Sequence, residues 1–168
     1  MIKLDEVTKH DFLDRKTVRE LLDVGVDMSD ATYYIYTNPE TGEDFIGYWR
    51  QMDVEHANNC MPTYTIAQLH FKLHEHIYPT INGIEYSGGL RYFKDAPFYV
   101  FYYDLKDKDG ERCPEVDGIF AEGETPIISL AYLLKQCHLK HTGYNRKDGK
   151  PVDDVGSIRT KYEEYIWR

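Results

Sequence analysis

The chain has 168 residues, 42% of them hydrophobic and 29% charged, enough to bury one core and inconsistent with a disordered polymer. A net charge of −9 repels phosphate backbones, so nucleic-acid binding is not expected. Three cysteines with no Cys-x-x-Cys pair exclude a disulfide framework and a four-cysteine zinc site.

The acidity is uneven. Residues 1–60 carry 13 acids against 6 bases, residues 61–142 carry 11 against 8, and residues 143–168 carry 5 against 6. No apolar run approaches the roughly 18 residues of a membrane span, and the first residues lack the apolar stretch of a signal peptide. No membrane association and a cytoplasmic location are therefore expected.

The first expected helix covers about 14–24. Val18, Leu21 and Leu22 form its apolar stripe, Asp14 or Thr17 can cap it, and Gly25 is a natural stop. Residues 31–37 and 44–50, β-branched and aromatic, flank Asn38-Pro39-Glu40-Thr41-Gly42 and read as a hairpin. After a polar stretch, the segment beginning Cys60-Met61-Pro62 reads as a linker. A helix is expected over about 63–76, with Thr63 as cap and Thr65/Gln68 as a competing capping box.

A strand near 80–86 is expected to break at Ser87-Gly88-Gly89, with a short strand at 90–94. Residues 97–104 are the clearest strand. Their two faces, Phe98/Val100/Tyr102 and Tyr99/Phe101/Tyr103, are both apolar or aromatic, so both faces should be covered. The terminal segments (Val18, Leu21, Leu22, and Tyr162, Tyr165, Ile166) or a dimer mate are the expected cover. Thr125-Pro126 opens a helix to about 140, and Ser157 could cap a last one.

The expected fold is α+β: an antiparallel sheet of four to five aromatic-rich strands with helices packed on it, in the order α-β-β-α-β-β-α-α. One domain, 1–168, is expected. Its internal seams separate a helix plus hairpin (1–56), a helix-sheet-helix unit (57–143) and a helical tail (144–168).

From Cys60-Met61-Pro62-Thr63, through a helix ending Leu73-His74-Glu75-His76-Ile77, to the long apolar helix from Gly123 to Leu139, the second half resembles small uncharacterised proteins encoded in phages and prophages of gut bacteria. The likeness covers about 60–140. It implies a fold and a genomic context and carries no activity. The final helix departs from the group's acidic, alanine-rich one, reading Thr125-Pro126-Ile127-Ile128-Ser129-Leu130.

Candidate chemistry is sparse. His70 and His74 lie four apart on one helix, and Cys137 and His138 lie on another. Packed side by side, these four could hold zinc, although half-buried helix-end histidines and a small buried thiol account for the same residues. Asp107-Lys108-Asp109-Gly110 is not a calcium loop, because Leu105 and Val116 fall where oxygen ligands must stand. There is no Gly-x-Ser-x-Gly and no phosphate loop, so the balance is against an enzyme.

Fifteen tyrosines remain. Tyr34, Tyr36, Trp49, Tyr99, Tyr102 and Tyr103 fall on expected strands and could form an interaction face for a protein partner or for self-association, with core packing the plainer account. A third reading, an acidic DNA mimic inhibiting a nuclease, rests on the acids of the first 60 residues, which six bases interrupt.

Overall fold

The computed structural model describes residues 1–48, 59–76, 80–81, 83–114 and 116–142. Trp49, the possible last helix and the tail 144–168 lie outside them.

At the N-terminus, β1 (Ile2–Lys3) leads into a 3-10 turn, Thr8–His10, held by Asp5, whose Oδ1 accepts from Val7 N at 2.9 Å and Thr8 N at 3.2 Å. Helix α1 (Arg15–Asp23) then starts at Asp14, whose carboxylate accepts from Thr17 N at 2.8 Å. It ends in a pair of bonds, Val26 N–H to Leu21 O and Gly25 N–H to Leu22 O, the pattern that satisfies the last carbonyls of a helix before a glycine.

The expected hairpin is present as β2 (Tyr33–Thr37) and β3 (Asp44–Tyr48), registered Tyr33 to Tyr48 and Thr37 to Asp44. The supposed linker is in fact a strand, β4 (Cys60–Thr63), antiparallel to β2. Its Pro62 lies opposite Tyr34. Proline is tolerated there because β4 is an edge of this four-stranded sheet, ordered β1-β3-β2-β4. Thr63 belongs to that strand and caps nothing; buried, it donates to Leu13 O at 2.8 Å.

Helix α2 (Ile66–His76) therefore starts at the competing box. Thr65 N donates to Gln68 Oε1 at 3.2 Å, and Gln68 N donates to Thr65 Oγ1 at 3.3 Å. Two very short strands, β5 (Thr80–Ile81) and β6 (Ile84–Glu85), pair with each other.

β7 (Ser87–Asp95) and β8 (Phe98–Lys106) then make a long antiparallel hairpin. The glycines at 88 and 89 do not break it. Gly88 has φ +115°, and a Cβ there would lie 1.9 Å from the Asp104 carbonyl oxygen. The missing side chain lets β7 run on against β8 in a backbone conformation other residues rarely adopt. β9 (Phe120–Gly123), in a stretch where no element was expected, completes a second sheet ordered β7-β8-β9. Thr125 caps α3 (Pro126–Thr142), accepting from Ile128 N at 3.3 Å.

The class is thus α+β, with two larger antiparallel sheets and the small β5–β6 pair among the described residues where one sheet was expected. Helix α3 lies on β8 and β9, α2 packs along α3, and α1 sits by β4 and reaches α3. One apolar core joins both sheets: Ile35 and Ile46 from the first, Phe101, Tyr103 and Leu105 from the second, and Leu21, Leu69, Leu73, Leu130 and Leu134 between them.

β8 is central in its sheet, as its two apolar faces require. Tyr99, Phe101 and Tyr103 turn to the shared core; on the opposite face Val100 and Phe120 are fully buried. Val18 and Leu21 join the shared core and not the Val100/Phe120 side, while Leu22 is largely outside it. Tyr162, Tyr165 and Ile166 lie beyond the described residues.

Candidate functional site

Two places on the described surface combine chemistry with access. The first is a cleft of about 600 Å³ where the start of α1 meets the end of β9 and the outer side of α3. Asp14, Glu20, Glu122 and Glu124 stand against Lys16 and Lys135 around Tyr132. Burial first, then the carboxylates of Glu20, Asp14 and Glu124, push the Tyr132 phenol up to about 12. At neutral pH it is therefore a hydrogen-bond donor, and Glu20 accepts from it. The lining contains no histidine, cysteine or serine; beside the carboxylates and the phenol it offers only the Thr17 hydroxyl and the amines of Lys16 and Lys135 as nucleophiles. Its excess of acids favours a cation over an anion.

The second is the outer edge of the β7–β9 sheet. Among the described residues no strand pairs with the far side of β7. Of its side chains, Tyr92 is 65% exposed and stacks at 5.3 Å on Phe101, while Lys94 lies 5.4 Å over the Tyr99 ring. Arg91 is exposed and only loosely paired with Asp104, at 3.9 Å. The strand thus carries apolar area, one acid and two bases along an open ladder of backbone donors and acceptors.

The aromatic face anticipated from the sequence does not form as one surface. Tyr99 and Tyr103 turn to one side of β8 and Tyr102 to the other, because successive residues of a strand alternate. Tyr103 is buried, and burial followed by the neighbouring Cys137 holds its phenol far above the ordinary value. Tyr34 is also buried. It stands opposite Gly47, and a Cβ at that glycine would meet the Tyr34 hydroxyl at 2.8 Å, so the ring occupies the space a side chain would fill. Tyr36 and Tyr102 are half-buried, and Trp49 is outside the described residues. Tyr92, an exposed aromatic of the second sheet, was not among the candidates: the strand expected at 90–94 contains it, but that it lies at the sheet's edge follows from the pairing of β7 with β8 alone.

Of the zinc candidates, His70 and His138 are half-buried and Cys137 is fully buried. His74 is on α2 and its side chain lies outside what is described. Burial pushes the Cys137 thiol up to about 12, which favours the protonated form over the thiolate that zinc requires. Among the described residues no group of three or more His, Cys, Asp or Glu is placed to hold a metal ion. In the 107–110 turn the Asp107 carboxylate accepts from Asp109 N at 2.8 Å and Glu111 N at 2.9 Å, so it shapes the turn.

Many acids of the first segment bond to their own neighbours. Asp5 and Asp14 hold helix starts, Glu43 pairs with Lys3 at 2.6 Å, Asp30 accepts from Tyr64 and pairs with Lys72 at 3.1 Å, and Asp44 accepts from Thr37 at 2.5 Å. Cys60, read as a linker residue, is a half-buried member of β4. Among the described residues no helix is long and apolar enough to cross a membrane. No family model, no curated protein and no solved structure matches the chain.

Proposed function

We propose that the protein is a non-catalytic accessory factor, of the phage-encoded kind its second half resembles, that works by binding a protein. The observation that carries this reading is the edge of β7, which no strand covers among the described residues, and where nine residues end the sheet and expose Tyr92. An edge of that length can accept a further strand, with main-chain bonds supplying affinity and alternate side chains supplying selectivity. Net negative charge argues against nucleic acid as the partner. The cleft at Tyr132 has no histidine, cysteine or serine beside its carboxylates, which supports binding over catalysis as the use of this surface.

A photo-crosslinking amino acid placed at residue 92 of the full chain tests the reading, with the same group at residue 109 in the solvated turn as control. A discrete adduct from residue 92 and none from residue 109 is the expected result. Silence at 92, or equal labelling at both, removes the reading.

A further inference from the structure

We infer that the strand added to β7 is β7 of a second copy of this chain, antiparallel, with the two-fold axis passing through Phe93. The inference rests on the edge reading above and names its partner.

An antiparallel two-fold dimer continues a sheet only if the axis is perpendicular to it, so that each face stays on its own side. Residues directly opposite must then come from the same face, which in a strand means both odd or both even. The candidate axes along Ser87–Asp95 therefore pass through single residues, and the charges choose among them. An axis at Arg91 sets two guanidinium-bearing residues opposite each other, with Cα atoms about 4.5–5.5 Å apart. An axis at Tyr92 places Arg91 opposite Phe93 and Asp95 opposite Gly89, leaving every charge without a counterpart.

An axis at Phe93 sets Arg91 opposite the second copy's Asp95, and Asp95 opposite its Arg91. It also sets Tyr92 opposite the second copy's Lys94, and Lys94 opposite its Tyr92. The symmetry makes each pair twice: an ion pair on one face, and a cation against an aromatic ring on the other. The side chains that must move to meet the second copy are those already turned outward, Arg91, Tyr92 and Lys94. Charges on an edge strand ordinarily prevent pairing. Here the same charges oppose the Arg91 register, leave the Tyr92 register without a charge pair, and favour the Phe93 register.

The full chain, sedimented over a concentration series, is expected to pass from monomer to dimer, with weaker association in high salt. Asp95→Arg should remove the dimer, and the exchange Arg91→Asp with Asp95→Arg should restore it. In a Cys60→Ser background, Phe93→Cys should give a disulfide-linked dimer under mild oxidation, while Arg91→Cys and Tyr92→Cys should not. A monomer at every concentration, a dimer indifferent to Asp95→Arg, or cross-linking at Arg91→Cys in place of Phe93→Cys overturns the inference. The crosslink at residue 92 separates this from failure of the edge reading. An adduct of twice the chain's mass supports self-pairing; an adduct of another mass from a monomeric protein overturns self-pairing alone; no adduct overturns both.

Discussion

The two sheets of this molecule treat their edges differently. In the first, β1 is two residues long and β4 carries a proline, so neither rim offers a long run of backbone groups to another chain. In the second, β9 is short, but β7 runs for nine residues with nothing paired to its far side among the described residues. Both sheets share one core, so the contrast is not one of stability. The first sheet ends in short or proline-bearing rims, and the second has, among the described residues, one long unpaired rim.

The strongest way to break this comparison is to show that the second sheet is loosely packed throughout. Phe120 on β9 is fully buried on the face turned away from the shared core. Phe120→Ala should cost about 3–5 kcal/mol, read by urea unfolding of the full chain. A loss below about 1 kcal/mol would mean that this face contributes little, and the open edge would then be only one symptom of a weak sheet.

The contrast was only partly legible in the sequence. β8 could be placed at a sheet centre because both of its faces are apolar, and the helix start at Thr125 could be located because its side chain satisfies a nearby backbone donor, while Asp14 and Thr65 were each one of two candidate caps and Thr63 was the wrong one. What escaped depends on distant partners. β4 looked like a linker because Pro62 argues against a strand until the edge position is known. β9 has four residues and runs straight into a helix start. The glycines of β7 read as a break until the Asp104 carbonyl is seen against Gly88. The division into two sheets is a matter of long-range pairing, which no local pattern encodes. The cleft at Tyr132 was invisible for the same reason, since it draws on α1, β9 and α3.

Smaller effects sharpen the comparison. A Cβ at Gly123, at the end of β9, would meet Ser129 N at 2.5 Å and its Cα at 2.9 Å, backbone against backbone. Gly123→Ala should therefore cost about 1–3 kcal/mol in the same unfolding experiment, because neither side can yield cheaply. An unchanged midpoint would show that α3 can slide away from the sheet.

Cys137, on α3 in the shared core beside Tyr103, provides a pH test. Its native thiol stays protonated up to about 12, whereas an unfolded thiol ionises near 9, so between those values the native state binds more protons. Stability from this group is complete below pH 9 and falls as pH rises toward 12. Cys137→Ser should flatten that alkaline limb in a series of melts, and a limb of unchanged slope would place the alkaline loss elsewhere.

Tyr92, exposed on the edge, should matter least to folding. Tyr92→Ala is expected to change the unfolding free energy of the monomer by no more than about 0.5 kcal/mol, while weakening association of the full chain in sedimentation. A variant that unfolds several kcal/mol more easily would reassign Tyr92 to the core.

Amide hydrogen exchange compares the two rims directly. In dilute protein the outward-facing amides of β7 should exchange far faster than those of β8, and raising the protein concentration should protect them while leaving β4 unchanged. If instead the outward-facing β7 amides are as protected as those of β8 at every dilution, β7 is not an open edge and the central contrast between the sheets is wrong.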